Sequence, residues 1–232
     1  MLLGGIQKSS LIDYPGKLSC VIFLSGCNFD CHYCHNPSLA TGQAECRDFM
    51  EHENLYQFLN QRKGFLDGVV ISGGEPTLQK NLFKLCENIK GLGYSVKLDT
   101  NGSRPKDLKR LLDHGLVDYI AMDIKTEPAK YNSLIKGDFN TDDLLSSIVM
   151  IMDAAPDYEF RTTCAKGFVD EKVIENIAHL IKGANLYALQ SFNHVEILHP
   201  EFFSENESGL DPAEMERLKS IAEPWVKECI VR

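Results

Sequence analysis

Strand-like and helix-like patterns alternate along most of this chain with short connections between them, and that alternation limits the fold more than any other feature. Residues 68–72, 94–99, 116–124, 158–164 and 186–192 are short apolar runs that read as strands. Segments of helical period lie between them. Leu78, Leu82, Leu85 and Ile89 form one apolar face, with Thr77 as cap and Gly91 at the end. Residues 103–114 turn Leu108, Leu111 and Leu112 inward before Gly115, and residues 171–182 do the same with Val173, Ile177 and Leu180 before Gly183. A less regular helical region covers residues 129–155. Strands that return to one sheet after each helix pair in parallel, through right-handed crossovers. Counting residues 18–24 as the first strand gives six such units, too few for a closed eightfold barrel of roughly 250 residues. The expected fold is α/β: a partial (β/α)6 barrel of parallel strands.

The whole chain, 1–232, is expected to form a single domain. Residues 1–17 read as an irregular N-terminal extension with a turn at Pro15-Gly16, residues 18–192 as the six βα units, and residues 193–232 as a C-terminal segment. The final helix starts with Asp211 as cap, Pro212 at the first position and Glu214 at the third. Residues 47–63 read as a further helix, with Phe49, Tyr56 and Leu59 near helical spacing.

Composition acts mainly by exclusion. A net charge of −9 disfavours nucleic acid as a bulk electrostatic partner. No apolar run approaches the roughly 20 residues that span a bilayer, and the N-terminus lacks the basic-then-apolar pattern of a secretory signal. No membrane association and a cytoplasmic location are expected. Of eight cysteines, Cys20, Cys46, Cys86, Cys164 and Cys229 are scattered and read as buried small hydrophobes.

The other three, Cys27, Cys31 and Cys34, are clustered in a long loop directly after the first strand. Three thiolates at these spacings can converge on one metal centre, yet a fourth nearby cysteine is missing. A site one ligand short can bind and activate a further molecule. The alternative is a structural zinc site with His35 as the fourth ligand. In a parallel sheet the functional groups collect at the carboxyl ends of the strands. Those ends carry Ser72-Gly73-Gly74-Glu75-Pro76, then Asp99-Thr100-Asn101-Gly102, Asp123-Ile124-Lys125, Arg161-Thr162-Thr163, and Gln190 leading towards His194. A packed core would not accept so many polar groups, so one shared site is expected.

Cys27, Cys31 and Cys34, with Tyr33 before the last, resemble the Cys-x3-Cys-x-aromatic-Cys signature of radical S-adenosylmethionine (radical SAM) enzymes, and Gly73-Gly74-Glu75-Pro76 resembles their second motif. Gly4-Gly5-Ile6-Gln7-Lys8, Leu11-Ile12-Asp13-Tyr14-Pro15-Gly16 and Cys34-His35-Asn36-Pro37 look like the activating proteins of anaerobic ribonucleoside-triphosphate reductase, which group with pyruvate formate-lyase activating enzymes. The resemblance implies a [4Fe-4S] cluster on Cys27, Cys31 and Cys34, with its fourth iron left for S-adenosylmethionine. Reductive cleavage then gives methionine and a 5′-deoxyadenosyl radical that abstracts hydrogen from a glycine of the partner. It further implies cofactor contacts from Tyr33 to the adenine, from the Gly73-Gly74 backbone with Glu75 fixing the loop, and from Asp99, Thr100 and Asp123 near the cofactor carboxylate, with a monovalent cation beside them. Lys125, Arg161 and Gln190 are implied as further cofactor contacts, and flavodoxin or ferredoxin as electron donor. His194 and Asn36 have no assigned role. Two other functions stay open: a small-molecule radical enzyme similar to the deazaguanine synthases, and a zinc-stabilised binding module.

Overall fold

The apolar runs become neighbouring strands of one sheet, laid down in chain order. The computed structural model describes residues 2–44, 52–134, 139–192, 197–203 and 209–232. Its strands are β1 (Leu3–Ser10), β2 (Ser19–Leu24), β3 (Gly68–Gly73), β4 (Ser95–Thr100), β5 (Tyr119–Asp123), β6 (Tyr158–Cys164), β7 (Tyr187–Ser191) and β8 (Cys229–Val231), side by side in that order. β1 runs antiparallel to β2, and every later pair is parallel. The sheet is open, with β1 and β8 at its two edges, as a partial barrel requires. Helices α1 (Pro37–Ala40) and α2 (His52–Gln61) lead from β2 to β3. Then α3 (Leu82–Gly91), α4 (Pro105–Asp113), α5 (Thr141–Ala154), α6 (Glu171–Leu180) and α7 (Pro212–Ala222) fill the later gaps one by one.

Alternation along the strands divides the molecule into an apolar outer layer and a polar inner one. On β4, Val96 and Leu98 join the large core beneath the helices, with Ile22, Ile71, Ile120 and Phe160 from neighbouring strands and Leu85, Leu108, Ile148 and Ile177 from the helices. Each such side chain, fully buried, contributes about 1.5–3 kcal/mol. Lys97 and Asp99, one residue out of phase, fall on the opposite face. The apolar cluster there is small, comprising Tyr14, Val21, Val70, Tyr119 and Ala121. Stability therefore comes from the outer layer, and the inner face can hold charged groups at the carboxyl ends of the strands.

Several expectations need correction. Residues 1–17 are not irregular throughout, because Leu3–Ser10 forms β1. A sequence as plain as Leu-Gly-Gly-Ile-Gln-Lys-Ser-Ser carries no strand pattern; backbone pairing to β2 at an edge, with half-exposed side chains, makes the strand. The C-terminal segment also ends in a strand, and three residues of β8 are too few to register as a pattern. Thr77 does not cap α3. A 3-10 turn over Pro76–Leu78 intervenes, capped by the Glu75 side chain, and α3 begins at Leu82. The region 129–155 resolves into a 3-10 stretch, Pro128–Leu134, and α5, which Asn140 caps by accepting from the Asp142 N–H. The start of the final helix matches its pattern: Asp211 and Glu214 form a reciprocal capping box. The first part of the predicted helix 47–63, together with Cys46, lies outside the described residues, as does His194. No described helix is long and apolar enough to cross a membrane.

Candidate active site

The cysteine loop is held both by backbone hydrogen bonds and by Phe29, Cys31 and Tyr33, which are buried in the main core. Leaving β2, it is pinned to α1 by the Gly26 N–H donating to Leu39 O (2.7 Å) and the Cys27 N–H donating to Ala40 O (3.1 Å). The Asp30 N–H reaches Leu134 O at 2.7 Å, and the Cys34 N–H closes a turn on Cys31 O at 3.0 Å. Asn28 is tied to the end of β4 through Asn101 Nδ2, 3.0 Å from its Oδ1, and donates in turn to Ser103 Oγ at 3.0 Å. Neither asparagine link was visible in the sequence. The Phe29 N–H also donates to Cys27 Sγ at 3.4 Å, a contact of the kind that tunes the potential of thiolate-bound iron.

Cys27, Cys31 and Cys34 all line one cavity of ≈ 250 Å³ at the carboxyl ends of the strands. Of the residues assigned to the cofactor, all but Glu75 line it: Tyr33, Gly73, Gly74, Asp99, Thr100, Asp123, Lys125, Arg161 and Gln190; His35, the fourth ligand of the zinc alternative, lines it too, as do Phe29, Asn36 and Thr163. Burial pushes the Cys27 thiol up to about 11 and the Cys31 thiol to about 12. Any metal bound by these two thiols would have to strip protons from both. Uptake of iron and sulfide by the apoprotein should accordingly rise between about pH 7 and pH 9, followed by visible absorbance; a flat profile would contradict the protonated thiols. His35 stacks its ring on Phe192, with centroids 5.2 Å apart. Among the described residues no three His, Cys, Asp or Glu side chains gather tightly enough for a single metal ion.

Glu75 is a loop anchor. It is completely buried, and its Oε1 accepts from the Thr77 N–H (3.0 Å), Thr77 Oγ1 (2.5 Å) and Thr100 Oγ1 (2.8 Å), while its Oε2 accepts from the Asn101 N–H (2.6 Å). Burial raises its pKa, and these donors oppose the rise. The two glycines also serve packing first. A Cβ on Gly73, at φ +120°, would lie 2.2 Å from Leu24 O, and one on Gly74 would lie 2.2 Å from Gly26 O. Glycine is required because this loop lies against the backbone of the cysteine loop, where the Gly74 and Glu75 N–H groups donate to Leu24 O and Gly26 O, each at 2.8 Å. Gly74→Ala should lower stability by roughly 1–3 kcal/mol through this overlap, readable as a fall in melting temperature. Unchanged melting would contradict the close approach.

The acidic corner is already neutralised. Asp99 Oδ1 meets Lys97 Nζ at 2.5 Å, and its Oδ2 accepts from Ser72 Oγ at 3.0 Å and faces Arg161 Nη1 at 3.4 Å. Asp123 pairs with Arg161 Nε at 2.7 Å and with Lys125 Nζ at 2.9 Å. Burial alone would raise both carboxyl pKa values, but the neighbouring cations outweigh it and hold both below the usual range. Burial would likewise lower Lys125 and Arg161, yet the paired carboxylates hold both above their ordinary values. The charge for which a monovalent cation was expected is thus met by the chain itself. Lys97 was missed in the sequence, although its place two residues before Asp99 puts it on the same face of β4. Glu159 and Arg232, paired at 2.8 Å, were missed as well. Tyr33 is buried, donates from its OH to Lys125 O at 3.2 Å and sets its ring edge-on to Phe168.

Comparison with known proteins agrees with this geometry. The sequence model of the Radical SAM superfamily matches residues 21–180. A Methanocaldococcus jannaschii protein named for glycyl-radical enzyme activation is 36% identical over 241 residues, covering 100% of this chain and 95% of its own. The pyruvate formate-lyase-activating enzyme of Clostridium pasteurianum is 32% identical over 156 residues, 62% of this chain and 61% of that enzyme. Among solved structures, Streptococcus suis SuiB superposes with a TM-score of 0.68 at 14% identity, covering 91% of this chain, which spans only 48% of SuiB. The enzyme anSMEcpe with bound AdoMet gives 0.57 at 16% identity, over 87% of this chain and 58% of that one. These structures share the fold. The matched family region and the full-length relative settle the identity: the chain belongs to the radical SAM superfamily and is an enzyme of its glycyl-radical enzyme activating family.

Proposed function

We propose that this chain acts in the cytoplasm to install a glycyl radical on an anaerobic ribonucleoside-triphosphate reductase, drawing electrons from a flavodoxin or ferredoxin. The observation that carries the reading is the cavity itself, where three thiols and a neutralised but still cationic corner face one another across space for a small zwitterion. Support for the reductase as partner comes from the N-terminal resemblance at Gly4–Lys8 and Leu11–Gly16 and from Cys34-His35-Asn36-Pro37.

Cys27, Cys31 and Cys34 hold the cluster in this reading, and no fourth cysteine among the described residues lines the cavity to close it. A cluster held there would, when reduced, supply the electron for reductive cleavage of S-adenosylmethionine, the step that cofactor chemistry provides. The chain orients and shields. Asp99 and Asp123 each carry one negative charge against Lys97, Lys125 and Arg161, so the corner keeps one positive charge for the cofactor carboxylate. Tyr33 and Phe29 provide the apolar wall for the adenine, and Thr100 and Gln190 add polar contacts at the rim. Gly73 and Gly74 keep the loop beside the cysteines thin enough for the methionyl group. The open sheet leaves the side between β1 and β8 for a glycine-bearing loop to enter.

Reduced enzyme and S-adenosylmethionine, mixed with the reductase and separately with pyruvate formate-lyase, should give a glycyl radical by electron paramagnetic resonance in the reductase. A signal only in pyruvate formate-lyase would reassign the partner. No radical in either, with turnover of a small heterocycle, would replace the activase reading.

A further inference from the structure

The corner formed by Asp99 and Asp123 does not fit the monovalent cation that the family resemblance implies. All four carboxylate oxygens are engaged by the chain. Lys97 takes Asp99 Oδ1, Ser72 and Arg161 share Asp99 Oδ2, Arg161 Nε takes Asp123 Oδ1, and Lys125 takes Asp123 Oδ2. Three cations already face two carboxylates. The pair Glu159 and Arg232 below adds one charge of each sign and leaves the excess unchanged. A sodium or potassium ion would enlarge a positive excess and would have to share each carboxylate oxygen with a cation or donor of the chain.

Lys97 differs from the other two cations. Arg161 and Lys125 line the cavity; Lys97 does not. It is 1% exposed, sits on the inner face of β4 beneath Asp99, and rests its ammonium 5.8 Å from the Tyr119 ring centroid. Among the described residues its ion-pair partner is Asp99, at 2.5 Å. A buried ammonium held against one carboxylate has the charge and nearly the size of a dehydrated potassium ion, but it is tethered to the strand and cannot dissociate.

We propose that Lys97 is the resident cation of this site, supplying from behind Asp99 the charge that a free monovalent ion would otherwise bring, and that S-adenosylmethionine binding by this enzyme is therefore independent of sodium and potassium. Lys97 is a positioning residue, acting on the cofactor through Asp99. The assignment of that cofactor to the corner rests on the proposed function; the cation independence does not.

Two measurements on the full chain test it at matched ionic strength, in choline chloride, sodium chloride and potassium chloride. The first is the melting temperature of the cluster-free protein, which needs no cofactor. The wild type should melt within about 1 °C in all three salts, because no site awaits an ion to stabilise the fold by mass action. Lys97→Thr should melt lower in choline and recover in potassium, sodium or ammonium. The second is S-adenosylmethionine affinity of the cluster-loaded enzyme. The wild-type dissociation constant should agree within about twofold across salts, and that of Lys97→Thr should weaken at least tenfold in choline and be rescued by the small cations. A wild type that gains stability or affinity from sodium or potassium overturns the proposal, and so does a Lys97→Thr defect that no cation relieves. If Lys97→Thr does not fold in any salt, Lys97→Met and the wild-type salt series decide the question. Failure of S-adenosylmethionine to bind under any condition would strike the site assignment, while the melting series would still judge Lys97.

Discussion

Alanine at position 31 is expected to leave a folded protein with no complete cluster and no radical formation. Cys31 is 7% exposed and small, so its truncation costs the fold only about 1 kcal/mol. In the proposed function the chemistry depends on it entirely, because the protein orients while the cofactor carries the difficult step. Loss should reach at least about 10⁶-fold, the low end of enzymatic acceleration. Iron content and visible absorbance after anaerobic reconstitution, beside the radical yield, measure the outcome. Cys86→Ala is the control with the opposite profile. Cys86 is fully buried on α3 in the helix-side core, away from the cavity lining. Its removal should lower the melting temperature and leave cluster and radical intact. A Cys31→Ala protein that still activates its partner would show that the cysteine loop does not hold the working cluster.

Glu75→Ala should produce the largest loss of stability. The carboxylate takes four hydrogen bonds in a site with no exposure, from Thr77, Thr100 and Asn101. Truncation strands those donors and leaves a hole, at a cost of about 3–5 kcal/mol, as for a broken buried charged network. That is a large part of the 5–15 kcal/mol or so by which domains are stable, and at about 2–4 °C per kcal/mol it means a melting temperature lower by roughly 6–20 °C. Glu75→Gln keeps the shape but turns an amide NH2 towards donors, so it should fall between wild type and alanine. S-adenosylmethionine binding should weaken in both variants, since the Gly73-Gly74 loop and Thr100 lose their common anchor. Wild-type melting in Glu75→Ala would show that the loop is held by its backbone bonds alone.

Both predictions rest on residues that were legible in the sequence, but for different reasons. Cys27, Cys31 and Cys34 could be read because they lie within eight residues and their chemistry depends on residue type and spacing. The strand-end groups Asp99, Asp123, Arg161 and Gln190 could be read because the alternation of strand and helix fixes which end of each strand faces the cavity. Glu75 was expected to fix its loop and does so, but its partners Thr100 and Asn101, at and just past the end of the next strand, come within reach only on folding. The need for glycine at 73 and 74 comes from a loop lying on the backbone of Leu24 and Gly26, a contact that no local pattern records. Lys97, Glu159 and Arg232 were missed because a charged residue inside a strand becomes informative only when its inner-face neighbours on adjacent strands are known. Strands β1 and β8 escaped notice for a related reason: edge strands are made by pairing, and their side chains need no strong pattern.

Every role proposed for the cavity depends on one iron being left free for S-adenosylmethionine by the missing fourth thiolate. Mössbauer spectroscopy of the enzyme reconstituted with 57Fe, recorded before and after adding S-adenosylmethionine, examines that iron itself. The expected result is a [4Fe-4S] spectrum in which one iron in four changes its parameters on addition while the other three keep theirs. A spectrum unmoved by S-adenosylmethionine, or a colourless protein that takes up one zinc and no iron, would contradict it.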